Sequence, residues 1–115
     1  MRTVKKLTSD DEKELNQLLK NKKKAVFTLL YYSEWCDRSA KIVGMLDDWK
    51  DQESPKDEDV YLISSWELPH AFAAFAITSA PSIVKVNRGR VAVMVEYPKV
   101  HSYFTAATSP RPYKD

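Results

Sequence analysis

Apolar positions along the chain fall into two kinds of pattern, continuous runs and stripes of helical period. Ala25-Val26-Phe27-Thr28-Leu29-Leu30-Tyr31-Tyr32 is almost unbroken apolar and aromatic sequence. Such a run predicts a central strand buried on both faces, as in a parallel sheet covered by helices on each side. Ile42, Met45, Leu46 and Trp49 recur at i, i+3, i+4 and i+7, which predicts an amphipathic helix directly after that strand. Leu15, Leu18 and Leu19 give an earlier helix one apolar stripe, with Ser9 and Glu12 spaced as a capping box at its start. Lys22-Lys23-Lys24 suits the negative end of that helix, so it reads as a solvated cap and not as a nucleic-acid patch.

The remaining elements follow from shorter signals. Thr3 to Leu7 fits an edge strand and Val60 to Ser65 a further strand. Pro69 opens a helix from which Phe72, Phe75 and Ala76 face inward. Ser82 to Val86 and Val91 to Val95 flank Asn87-Arg88-Gly89-Arg90, a hairpin signal. Lys99 to Ala107 reads as a last helix, and Thr108 to Asp115, with two prolines, as a loose tail. Asp47 to Asp59 holds seven acids and is broken by Ser54-Pro55, as expected of a solvated helix end and loop. The resulting order, β-α-β-α-β-α-β-β-α, predicts an α/β fold: a three-layer α/β/α sandwich on a mixed central sheet.

Composition narrows the picture without redirecting it. One hundred and fifteen residues, 43% hydrophobic and 30% charged, suit a single folded domain. A net charge of +2 gives no reason to expect nucleic acid or membrane as partner. No apolar run is long enough to span a bilayer, and Met1 to Lys6 lacks the apolar core of a signal peptide, so the expected location is cytoplasmic. One cysteine excludes an internal disulfide and a cysteine-based zinc site, and no metal or cofactor is expected.

That cysteine carries the candidate chemistry. In Ser33-Glu34-Trp35-Cys36-Asp37-Arg38-Ser39-Ala40-Lys41 it stands between the buried strand and the amphipathic helix. The first amides of a helix and its positive dipole end stabilise a thiolate. Arg38 would add to that effect and Asp37 oppose it. The plain alternative is that Cys36 is a small buried apolar residue and Ser39 an ordinary residue of a first helical turn. His70 and His101 have no neighbours suggesting a Cys-His pair, Tyr31 and Tyr32 read as packing residues, and Trp66, at a strand end, reads first as a core residue and second as an exposed contact.

Together these segments resemble the thioredoxin family, whose signature is a buried strand, W-C-G-P-C opening a long helix, a cis-proline loop and a hairpin. Tyr31-Tyr32-Ser33-Glu34-Trp35-Cys36 resembles the strand end and active-site approach. Ile77-Thr78-Ser79-Ala80-Pro81-Ser82-Ile83-Val84 resembles the cis-proline segment, and Asn87 to Arg90 the turn after it. The resemblance implies a thioredoxin-like domain over residues 1–107, with 108–115 as a flexible tail. It also implies thiol-disulfide exchange, with Cys36 as the attacking thiol. Trp35, Asp37, Arg38, Ala80 and Pro81 would form the client-binding surface.

The departures shape the expected activity. Ser39 replaces the second cysteine, and Asp37-Arg38 the Gly-Pro between the two. The proline that kinks the family's long helix falls near Gly44. The family's buried aspartate falls on Leu30 and its lysine partner on Leu62, so both halves of a charge pair are replaced together. Joint loss is physically consistent, because one buried charge alone is costly. It also argues that Ser39 belongs to a native monothiol site. Serine cannot resolve a mixed disulfide, so the expected activity is at most that of a monothiol oxidoreductase. Its partners would be protein clients, held by strand addition and a mixed disulfide at Cys36, or glutathione. The expected state is a monomer, with a Cys36-linked dimer as a product to test for on oxidation. The alternative is a non-catalytic thioredoxin-fold binding module or structural subunit.

Overall fold

The computed structural model describes residues 3–49 and 59–108. The chain forms β1 (Thr3–Leu7), α1 (Glu12–Lys20), β2 (Val26–Tyr32), α2 (Asp37–Trp49), β3 (Asp59–Ser64), β4 (Ser82–Asn87), β5 (Arg90–Met94) and α3 (Tyr97–Thr108). Short 3-10 segments cover Ser9–Asp11 and Pro69–Phe75. Five strands lie in the order β1-β3-β2-β4-β5. β3 runs parallel to both β1 and β2, while β4 runs antiparallel to β2 and β5. The sheet is therefore mixed, as its pattern predicts.

β2 lies in the middle because its sequence can be buried on both sides. Every residue from Phe27 to Tyr32 is buried. Alternate side chains enter opposite cores. Phe27, Leu29 and Tyr31 meet Leu15 of α1 together with Leu68, Ala71 and Ile77. Leu30 and Tyr32 meet Ile42 and Leu46 of α2 and Val100 and Phe104 of α3. Among the described residues no helix is long and apolar enough to cross a membrane.

Three expectations need correction. The first capping box is formed by Thr8 and Asp11, one residue earlier than Ser9 and Glu12. Thr8 Oγ1 accepts from the Asp10 amide at 3.3 Å, and Asp11 Oδ2 accepts from the Thr8 amide at 2.8 Å. Second, Pro69–Phe75 is 3-10 rather than α. With three residues per turn, Phe72 and Phe75 eclipse and both rings reach the core, Phe72 edge-on to Tyr31 with centroids 4.9 Å apart. Third, Ala76 is exposed instead of inward-facing. It takes a left-handed conformation (φ 55°) that ends the segment, and the next amide, of Ile77, bonds Phe72 O at 2.7 Å. Ile77 fills the core position in its place. The expected acidic loop and tail fall largely on residues 50–58 and 109–115, outside the described residues.

At the other end of the sheet the hairpin behaves as its sequence requires. Arg88 and Gly89 both have positive φ, 49° and 92°, as a two-residue type I′ turn demands. Their amides bond Ala25 O and Lys22 O, which ties the hairpin to the turn after α1.

Parallel pairing of β2 with β3 sets Leu30 directly beside Leu62, both buried in the same core. A charge at either position would lie in apolar surroundings. Leu30→Asp should therefore cost about 3–5 kcal/mol, and adding Leu62→Lys should recover part of the loss. Urea unfolding of both singles and the double would show this, and strictly additive costs would contradict the pairing. At Ala76 the left-handed conformation penalises a Cβ, so Ala76→Gly should stabilise by about 1 kcal/mol. A higher urea midpoint at unchanged slope is the expected reading.

Candidate functional site

Burial of β2 fixes where Cys36 lies. The strand ends at Tyr32, and a four-residue loop turns the chain into α2. The Cys36 amide bonds Ser33 O at 3.2 Å, closing this turn, and the Ala40 amide bonds Cys36 O at 3.0 Å, the first bond of the helix. Cys36 thus occupies the N-cap of α2, where helix amides face it unpaired. Its thiol is held below its ordinary pKa, first by the Ser39 backbone amide. Partial burial opposes this. The Ser39 hydroxyl, the Arg38 amide and the Arg38 charge add to it.

Ser39 is fully buried, and its Oγ accepts from the Ser33 amide at 3.2 Å. It spans the loop, joining the strand end to the first turn of the helix. Ser39 thus does structural work that a bystander serine would not. Opposite the thiol stands the loop that leads into β4. The Ala80-Pro81 bond is cis, and Pro81 is buried. Ser82 Oγ donates to Ser79 O at 2.8 Å and fixes this loop. Cys36 Sγ points at Ala80 O at 3.8 Å.

The other expected site residues divide. Trp35 stands beside the thiol and is 72% exposed. Arg38 lies over the Tyr97 ring at 5.4 Å, linking α2 to α3, while Asp37 is exposed. Trp66, expected in the core, is instead 68% exposed and edge-on to Trp35, centroids 5.4 Å apart. Behind this pair lies Ser64, fully buried at the end of β3. Its Oγ donates to Glu34 Oε2 and accepts from the Trp66 and Glu67 amides at 3.0 and 3.2 Å. The Cys36 loop and the Trp66 loop are thereby fastened together. Sequence reasoning preferred the core for Trp66 over the exposed contact it also offers, and missed Glu34 and Ser64. One signal was available: Trp66 follows β3 as Trp35 follows β2, and parallel neighbours deliver their following loops to the same end of a sheet.

The mixed sheet ordered β1-β3-β2-β4-β5 and its covering helices have counterparts among solved structures. A thioredoxin from Malassezia sympodialis superposes with a TM-score of 0.67 at 17% identity, over 93% of this chain and 92% of that one. The fold is that of thioredoxin. Thioredoxin O2 from Arabidopsis thaliana matches with a TM-score of 0.67 at 16% identity, over 93% and 96% of the two chains. A Schistosoma mansoni thioredoxin matches at 0.68 and 16%, over 90% and 94%. No family model and no curated protein matches the sequence. On this thioredoxin fold, Leu30 and Leu62 occupy neighbouring positions of the central strands where the resemblance expects a charge pair.

The depressed thiol predicts a pH dependence with a definite sign. Alkylation of Cys36 by iodoacetamide should reach half its maximal rate below about 8.5, the value for a free thiol. Because the folded pKa lies below the unfolded one, ionisation adds stability that is full above the unfolded value. That stability is lost as pH falls through the folded value. Cys36→Ser should remove this rise, seen as a flatter dependence of Tm on pH as pH climbs to about 8.5. Ser39→Ala should raise the alkylation midpoint only slightly, since the backbone amide remains. Leaving the Ser33 amide unpaired should cost about 1–3 kcal/mol.

Proposed function

We propose that this protein carries out thiol-disulfide exchange through a single thiol, Cys36, and forms mixed disulfides that it does not resolve by itself. The observation that carries this reading is the N-cap position of Cys36, where backbone amides stabilise the thiolate next to the Ala80-Pro81 backbone. The thiolate attacks one sulfur of a disulfide in a protein client or in glutathione. A Cys36–S–S bond forms, the old S–S bond breaks, and the departing thiolate takes a proton from water. In a dithiol cycle a second cysteine would then attack Cys36. Here Ser39 stands at that position with its oxygen bonded to the Ser33 amide, and a hydroxyl is no nucleophile toward sulfur at neutral pH. Release instead requires an outside thiol, which attacks the mixed disulfide and frees the client. A reducing compartment such as the cytoplasm would supply it.

Client residues would pair with the backbone beside Pro81, adding a strand, while Trp35, Asp37 and Arg38 line the approach. A second reading, a thioredoxin-fold binding module, is favoured by the exposed Trp35 and Trp66 rings, which could hold a partner whether or not the thiol reacts.

Treatment with oxidised glutathione tests the first reading. Intact-mass analysis should show one glutathione added at Cys36 and its removal by added thiol, with no catalytic turnover in a disulfide-reduction assay. Ser39→Cys should gain internal release, giving a chain that loses the adduct without outside thiol. An unmodified wild-type chain under conditions that modify a free thiol would favour the binding module.

A further inference from the structure

Trp35 and Trp66 are two large aromatic side chains left in water at the same end of the sheet as the thiol. They come from separate loops and meet edge-to-face, and the Ser64 hydroxyl fastens those loops through the Glu34 carboxylate and the Trp66 amide. Anchoring by the Ser64 hydroxyl restrains the loops before any partner arrives, which lowers the entropic cost of binding on the rings. No cation covers either ring: among the described residues, cations over rings lie on Tyr32, Phe75, Tyr97 and Tyr103. Arg38, though close by in sequence, is drawn to Tyr97.

Sheet order places this pair. β2 lies between β3 and β4, so the Cys36 loop stands between the Trp66 loop on one side and the Pro81 loop on the other. Trp35 directly precedes Cys36 and its ring meets that of Trp66, so the residues beside a cysteine offered to Cys36 come within reach of the indoles.

We infer that Trp35 and Trp66 form a side-chain subsite that selects client segments bearing an aromatic or large aliphatic residue next to the attacked cysteine, a role that rests on Cys36 being an attacking thiol. Trp66 is a specificity residue: it touches the client's neighbouring side chain and not the reacting sulfurs. An edge-to-face pair of indoles accepts a further ring or branched chain well, because aromatic contacts add to plain area burial.

The test uses short peptides whose cysteine is blocked as a mixed disulfide with nitrothiobenzoate, flanked by either phenylalanine or glycine. Attack by Cys36 forms the Cys36–peptide disulfide and releases coloured nitrothiobenzoate, so electrons and atoms balance without another reactant. The wild-type chain should react about fivefold faster with the phenylalanine peptide. Trp66→Ala should bring the two rates together by slowing reaction with the phenylalanine peptide. Trp66→Phe should restore part of the preference. A wild-type chain without preference, or a preference that Trp66→Ala leaves intact, overturns the subsite alone. Failure to react even with dithionitrobenzoate overturns the attacking-thiol reading and this inference with it.

Discussion

Parallel pairing between β2 and β3 is the constraint on which the rest depends. It puts the C-terminal ends of two buried strands side by side, and everything that follows them converges. From β2 comes the loop with Trp35 and the helix mouth with Cys36. From β3 come Ser64, the turn it caps and Trp66. The register also decides which core residues are neighbours, and so makes Leu30 and Leu62 one apolar seam. A leucine buried there contributes about 1.5–3 kcal/mol, whereas a charge without its partner would cost more than that. The two positions therefore have to change together, and both are leucine.

Much of the architecture is legible in the sequence because the strongest signals are long. The run from Phe27 to Tyr32 has no polar break except Thr28, and only a central strand buries it. The stripe through Ile42 and Leu46 admits one helix, and Asn87-Arg88-Gly89-Arg90 one turn. Where the reading fails, two local choices were close in energy. Thr8 and Ser9 can each cap a helix. Thr8 does so because Asp11 is three residues on and can reach back to its amide. Pro69 to Phe75 has the composition of an α-helix, but seven residues are too few to repay α nucleation, and the spacing of Phe72 and Phe75 suits three residues per turn.

At the site, Cys36 is legible and Trp66 is not. The cysteine sits at a junction between two periodic patterns, so its place follows from them. Trp66 lies just past a strand, outside any period, and hydrophobicity alone sends a tryptophan inward. What keeps it outside is the Ser64 hydroxyl, which takes its amide and turns the chain before the ring can fold back over β3. Glu34 was read only as part of the segment before Cys36. Its bond to Ser64 becomes visible once strand register brings residues thirty apart together.

Two separate devices act on the thiol, and they have different consequences. Stabilisation of the thiolate comes mainly from backbone amides of the helix start, led by that of Ser39. Backbone donors do not depend on side-chain identity, so this effect survives the exchange of cysteine for serine. Resolution does depend on side-chain identity, and the Ser39 oxygen is already bonded to the Ser33 amide. Under the proposed function, the two halves of an exchange cycle would be controlled by different atoms of one residue. A chain that keeps the amide and changes the side chain would keep the attack and lose the release. The lifetime of a mixed disulfide would then be set by outside thiol, and contacts around Cys36 would gain importance, because a client that is held long is chosen by how well it is held.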